Sequence, residues 1–116
     1  MTNPDCIFCK IVAGEIDADV VYEDERVLAF RDTNPQAPIH ILIVPRRHVA
    51  TINDVGEAEV HDVGRLLLAA KAIAKQEGVD QSGYRAVMNC MKGAGQSVFH
   101  IHLHLLGGRA LTWPPG

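Results

Sequence analysis

"HIHLHLLGG", residues 100–108, places His100, His102 and His104 at every second position and fills the gaps with Ile101, Leu103 and Leu105. Period two is the mark of a strand, because successive side chains point to opposite faces of a sheet. The stretch therefore predicts a strand over Val98 to Leu106, with one aliphatic face for the core and one face of three imidazoles. On a straight strand, rising about 3.3 Å per residue, neighbouring histidines are about 6.6 Å apart and the outer two about 13 Å. One metal ion, with bonds to nitrogen of about 2 Å, cannot reach all three. Two could chelate as an H-x-H pair, which leaves the third without a task. Chance alternation on a wet sheet face is the plain alternative, but histidine has no special preference for strands. The remaining option is chemistry at a phosphorus or acyl centre, with one imidazole as nucleophile and its neighbours orienting it and neutralising charge. Attack through one ring nitrogen requires the other to hold its proton and donate it, often to a backbone carbonyl. His102, flanked on both sides, is the expected nucleophile.

The loop before this strand, "KGAGQS" at 92–97, carries Gly93 and Gly95, which let backbone N–H groups approach an anion, and delivers Ser97 below the histidines. It lacks the G-K-[ST] ending of a P-loop. Further upstream, Val20 to Tyr22 and Val27 to Arg31 read as a hairpin around "EDE", and "ILIV", 41–44, as a buried strand closed by Pro45. Tyr84 to Asn89 is a fourth strand. From Glu57 to Glu77, Val60, Val63, Leu67, Ala70 and Ala74, reinforced by Leu66 and Ile73, recur three or four apart, which predicts one long helix. Asp54 and Glu57 have the spacing of a capping box, and Gly78 is placed to end the helix. "CIFCKIVAGE", 6–15, predicts a short helix ended by Gly14. Five strands with one major helix inserted after the third predict an α+β domain, an antiparallel sheet with the helix on one face.

A chain of 116 residues is one domain. With 47% hydrophobic and 22% charged residues and a net charge of -3, it is ordinary for a globular protein, and the acidic balance argues against a nucleic-acid backbone as partner. "MTNPDCIF" has no basic segment followed by an apolar one, and no run approaches the ~20 apolar residues of a membrane span, so a cytoplasmic protein with no membrane partner is expected. Three cysteines then read as reduced thiols, and Cys90 as a buried one.

The segment His100-Ile101-His102-Leu103-His104-Leu105-Leu106 matches the His-φ-His-φ-His-φ-φ signature (φ apolar) of the histidine triad family. "CIFCKIVAGEI", "VYEDERVLAFRDTNPQAPIHILIVPRRH", "NCMKGAGQSVFHIHLHLLGG" and the terminal "WPPG" extend the likeness over nearly the whole chain, 1–116, and it resembles the nucleoside phosphoramidase branch. The resemblance implies a homodimer whose two sheets join into one of ten strands, and a hydrolase of purine nucleoside phosphoramidates. His102 would attack the α-phosphorus, expel an amine and hold a nucleotidyl-imidazole until water releases the nucleoside monophosphate (AMP). It places His104 on the phosphate, His40 beside the triad as a fourth imidazole and Ser97 near the leaving group. Asn89, Gly95 and Gln96 would line the phosphate and ribose region, Asp32 would accept from the ribose hydroxyls, Phe30 and Ile16 would line the base site, and Trp113 would reach the partner's site or pack in the dimer. Without that context His40 is equally a polar residue entering a strand, Asp32 a turn former and Phe30 or Ile16 plain core; His61 reads as surface.

"CIFC" has the C-x2-C spacing of a zinc half-site. Some triad relatives complete such a pair with two histidines, and the matching positions here are His48 and His100, which implies a structural zinc on Cys6, Cys9, His48 and His100. The alternative is that both cysteines are small apolar residues on a short helix. Two other functions stay open beside phosphoramidate hydrolysis: hydrolysis of dinucleoside polyphosphates by the same triad, and a zinc-stabilised nucleotide-binding interaction protein.

Overall fold

The computed structural model describes residues 3–116; Met1 and Thr2, counted in the single domain expected from the sequence, lie outside the described residues. The elements run α1 (Ile7–Val12), β1 (Val20–Glu23), β2 (Val27–Arg31), β3 (Ile39–Pro45), α2 (Val60–Gln76), β4 (Tyr84–Val87) and β5 (Leu103–Gly107), with short 3-10 turns at Ile52–Asp54, Glu57–Glu59 and Lys92–Ala94. All strand pairs are antiparallel and the sheet order is β1-β2-β3-β5-β4, which is the expected α+β architecture. No helix among the described residues is long and apolar enough to cross a membrane.

Alternation in the strands sorts two cores. Val27, Ala29, Ile41, Ile43, Leu103 and Leu105 point to α2 and pack on Leu66, Ala69, Ala70 and Ile73. Leu28, Phe30, Leu42 and Val44 point the other way and pack on Cys6, Phe8 and Cys9 at α1. The central strands β2 and β3 are thus covered on both faces, which explains why "ILIV" is apolar without alternation. Each fully buried aliphatic here contributes about 1.5–3 kcal/mol of transfer free energy. The histidines fall on the α1 face.

Five details depart from the sequence reading. Regular pairing of β5 starts at Leu103 opposite Ile43, five residues later than predicted, because the chain bends at 98–100 and the Ile101 N–H bonds to the Val49 carbonyl (2.8 Å) outside the sheet. β4 ends at Val87 rather than Asn89, before Met91 takes a left-handed φ of 72°. The α-helix starts at Val60, and Asp54 caps the preceding turn instead, accepting from the Thr51 N–H (3.2 Å) and hydroxyl (2.9 Å). Val60 and Leu67 face outward, 56% and 59% exposed, because the inward stripe runs through Leu66, Ala69, Ala70, Ile73 and Ala74. Cys90 is half-buried rather than buried. His61 is on the surface as read.

The far end of α2 closes as the sequence predicts. Gly78 sits at φ +77°, its N–H bonds to the Lys75 carbonyl (3.2 Å), and the Val79 N–H bonds to the Ala74 carbonyl (2.9 Å), the paired bonds of a Schellman end. Because an L side chain in this conformation costs about 1–2 kcal/mol, Gly78→Ala is expected to lower unfolding free energy by that amount in denaturant titrations, with the slope unchanged.

Candidate active site

Backbone groups of fixed polarity decide which nitrogen of each histidine carries the proton. His102 Nδ1 lies 2.8 Å from the His100 carbonyl, which can only accept, so Nδ1 holds the proton and Nε2 keeps a free lone pair. The Gln36 N–H donates to His40 Nδ1 (2.9 Å), which places the proton of His40 on Nε2. That N–H donates to His104 Nδ1 at 3.0 Å, and Asp32 Oδ2 lies 3.4 Å from His40 Nε2. His104 is then left with an N–H on Nε2. The result is one ring offering a lone pair, His102, beside one offering a donor, His104.

The His102 and His104 rings have centroids 4.9 Å apart and are tilted by 58°, with His102 just before the regular part of β5. Phe8 of α1 meets His102 edge-on at 5.1 Å and an interplanar angle of 89°. His102 is 6% exposed and His100 not at all, so the imidazole face lies under α1 rather than in open solvent. Burial is the main reason that His102 and His40 titrate below the ordinary imidazole range, Asp32 opposing it in both. Burial, with His102 and His40 as neighbours, takes His104 down to about 4. These rings are therefore neutral at physiological pH.

Two cavities flank the pair. One, about 520 Å³, has an apolar lining of Ile16, Phe30, Phe8, Ile11 and Leu42, with Asp32, Asp17, Asp19 and Arg31 as its charged groups. The other, about 460 Å³, is lined by His40, His104, Asn89 and Ala94 and by the C-terminal residues Pro114–Gly116. The three residues expected at a base and ribose site thus share one cavity, and Asn89 faces the other. Gly95 has a φ of +87° and makes the turn of the glycine loop. Gln96 is buried, and its amide braces that loop: it donates to the carbonyls of Ala50 (2.8 Å) and Val98 (3.1 Å) and accepts from the Met91 N–H (2.8 Å). Ser97 is exposed and lines neither cavity, but a separate hollow with Cys6, His48 and Phe99. Trp113 is 82% exposed. Leu42, Phe8 and Gln36 were missed by the sequence reading; period two from His40 would have put Leu42 on the histidine face, but nothing local marks a backbone N–H as the group that sets a tautomer.

Cys6, Cys9, His48 and His100 meet on the far side of Phe8, the liganding atoms all within 4.8 Å of one another. Cys6 Sγ and Cys9 Sγ lie 3.4 and 3.6 Å from His100 Nδ1, Cys9 Sγ 3.4 Å from His48 Nδ1, and the two Nδ1 atoms 3.2 Å apart. A tetrahedral ion with bonds of about 2.0–2.3 Å needs ligand atoms roughly 3.3–3.8 Å apart, so the set fits one metal. Outer partners are in place too: His100 Nε2 donates to the Pro45 carbonyl (2.8 Å), which turns the Nδ1 lone pair toward the thiols, and the N–H groups of Asn3 and Cys9 point at Cys9 Sγ and Cys6 Sγ (3.4 Å each). Asp32, His40 and His104 form a second close group, already joined by the hydrogen bonds described above.

The fold is thus a five-stranded antiparallel α+β sheet whose histidine face carries a neutral, tautomer-fixed imidazole between two cavities. The chain belongs to the histidine triad family: the HIT domain matches residues 13–111. The purine nucleoside phosphoramidase of Escherichia coli K12 is 51% identical over 105 residues, 90% of this chain and 88% of that protein. The 14 kDa zinc-binding protein of Brassica juncea is 51% identical over 114 residues, 97% of this chain and all of that one. The crystal structure of a HIT family hydrolase from Legionella pneumophila superimposes with a TM-score of 0.94 at 56% identity, over 97% of this chain and 100% of that one.

The depressed pKa of His104 also links stability to pH. The unfolded chain takes up this proton near 6.5 and the folded one only near 4, so His104 contributes fully above 6.5 and loses its contribution as pH falls toward 4. Melting temperature is expected to drop across this window, and His104→Gln to flatten the drop by up to about 1.4 kcal/mol per pH unit.

Proposed function

We propose that the protein hydrolyses purine nucleoside phosphoramidates to a nucleoside monophosphate and an amine. The observation that carries the reading is the His102 ring, held by the His100 carbonyl with its Nε2 lone pair free beside His104. Likeness to the phosphoramidase of E. coli supplies the substrate class. In the first step His102 Nε2 bonds to phosphorus, the P–N bond breaks, and the amine leaves after taking a proton from solvent. In the second, water attacks the same phosphorus and gives up a proton to solvent, the P–Nε2 bond breaks, His102 regains its Nε2 lone pair, and the monophosphate departs. The His104 N–H hydrogen-bonds to a phosphoryl oxygen and stabilises the charge that develops there, with His40 and Asp32 holding the ring in that tautomer. The base enters the slot of Ile16 and Phe30, the ribose hydroxyls reach Asp32, and Asn89 and the Gly95 loop face the phosphate. Ser97 and Trp113 act at the leaving group only if a loop movement or a second subunit brings them in. A homodimer with a ten-stranded sheet accounts for the uncovered edge of β4 and for the outward Val60, Leu67 and Leu68 of α2.

The metal in this reading is a structural zinc on Cys6, Cys9, His48 and His100, in keeping with the name of the Brassica juncea relative. It would tie α1 to the segment after β3 and to the start of the histidine run, with no part in bond making. Protein purified without chelator is expected to contain one zinc per chain, and its removal to lower the melting temperature by several degrees; a metal content near zero in such a preparation removes the assignment.

The test of the activity compares rates on adenosine phosphoramidate and a dinucleoside polyphosphate. The phosphoramidate is expected to be the faster substrate, and His102→Ala to reduce kcat at least about 10³-fold while AMP still binds. Faster cleavage of the polyphosphate would point to the sister activity, and AMP binding without any hydrolysis to a nucleotide-binding interaction protein.

A further inference from the structure

Arginine pairing is uneven across the molecule. Five of the seven arginines meet a carboxylate: Arg26 with Asp62, Arg46 with Glu23 and Arg47 with Glu59 at 3.0 Å, Arg65 with Asp24 at 3.5 Å, and Arg31 with Glu77 at 3.0 Å. Arg85 and Arg109 make no ion pair among the described residues, and both line the 460 Å³ cavity that His40 and His104 also line. Their bonds go to neutral carbonyls: Arg85 Nη2 to Leu111 (3.3 Å) and Thr112 (2.9 Å), Arg109 Nε to Gln36 (2.9 Å) and Nη1 to Ala110 (2.9 Å). Carbonyls aim a guanidinium without cancelling its charge. Each also retains free donors, Nε and Nη1 on Arg85 and Nη2 on Arg109, out of the five N–H groups of the side chain.

The sheet register places this charge at the reacting end. Val87 stands opposite His104 and Arg85 opposite Leu106, so Arg85 is the diagonal neighbour of His104 on the same face. Such neighbours are about 7–8 Å apart, within the reach of a long side chain. The nucleoside slot lies beyond Asp32, on the other side of His40 and His104, and Asp32 itself touches His40. A phosphoryl group between the two cavities therefore has its nucleoside on one side and its departing group on the Arg85 side.

We infer that the cavity of Arg85 and Arg109 is a subsite for an anionic leaving group, and, resting on the phosphoramidate reading, that this group is an amine bearing a carboxylate, as in an amino acid joined through its nitrogen to the nucleotide. A carboxylate one carbon from the reacting nitrogen lies within a few ångströms of phosphorus, and its planar pair of oxygens matches a guanidinium fork. A phosphate in the leaving group of a polyphosphate has the same chemistry, and the experiment separates the two.

The experiment measures kcat/KM for the adenosine phosphoramidates of glycine and of glycinamide, near-isosteric leaving groups with and without the charge, and for diadenosine tetraphosphate. The wild-type protein is expected to prefer the glycine conjugate about tenfold, through KM, and Arg85→Gln and Arg109→Gln each to bring the ratio close to one. A wild-type ratio near one, or a preference that both variants retain, overturns the subsite; a ratio near one with diadenosine tetraphosphate cleavage that drops in both variants assigns the cavity to a polyphosphate instead and overturns the carboxylate. If no phosphoramidate is turned over, the function proposed above falls, and the subsite is read from calorimetric Kd values of the two conjugates on His102→Ala. There a tenfold preference for glycine upholds it and equal affinities overturn it.

Discussion

The site depends on the way His100 is fixed at three atoms. Its Nε2 donates to the Pro45 carbonyl, its Nδ1 faces the two thiols and His48, and its own carbonyl accepts from His102. The last bond determines what His102 can do, since it commits the proton to Nδ1 and leaves Nε2 free. The peptide that carries this carbonyl precedes the regular strand, and it is held from two sides: its Ile101 N–H bonds to the Val49 carbonyl (2.8 Å), and the fully buried His100 ring is anchored at Pro45. The Cys6-Cys9-His48-His100 group and the His102 ring are thus joined through one residue, which ties the stability of the first to the orientation of the second.

The second support is the relay from Gln36 through His40 to His104. A backbone N–H that can only donate sets the tautomer of one ring, and that ring sets the next. Burial then keeps the imidazoles neutral, so the arrangement holds over the pH range in which a free histidine would be changing charge. Low dielectric has the further effect of strengthening each of these hydrogen bonds, at the cost of requiring every one to be made. Among the described residues no buried side-chain nitrogen or oxygen lacks a partner.

Charge is distributed by the same economy. Three of the seven arginines, Arg26, Arg31 and Arg65, bind the hairpin to α2 and its C-terminal end through carboxylates, Arg26 to the buried Asp62 of the helix. The two left without an acid stand where β4 and the residues after β5 meet the histidine face. A positive potential there costs little stability, since both head groups are solvated in part and held by carbonyls, and it biases what can sit beside His104.

Alternation at 100–105 by itself determined that three histidines face one way and three aliphatics the other, and the C-x2-C pair and the helical spacing at 60–76 were equally local patterns. Period two and period 3.6 are properties of consecutive residues, so the element types, the apolar face of β5 and the helix end at Gly78 could be read from neighbours alone. What only the tertiary structure decided is how far β5 extends, which nitrogen carries each proton, and that His48 and His100 come within 3.2 Å across fifty-two residues. It also decided that Gln96 spends its amide on the loop and that Leu67 faces outward. These outcomes depend on distant backbone groups such as the Pro45, Val49 and Ala50 carbonyls, whose positions are fixed by packing the sheet between α1 and α2, and no stretch of sequence encodes a contact whose partner is placed by the whole fold.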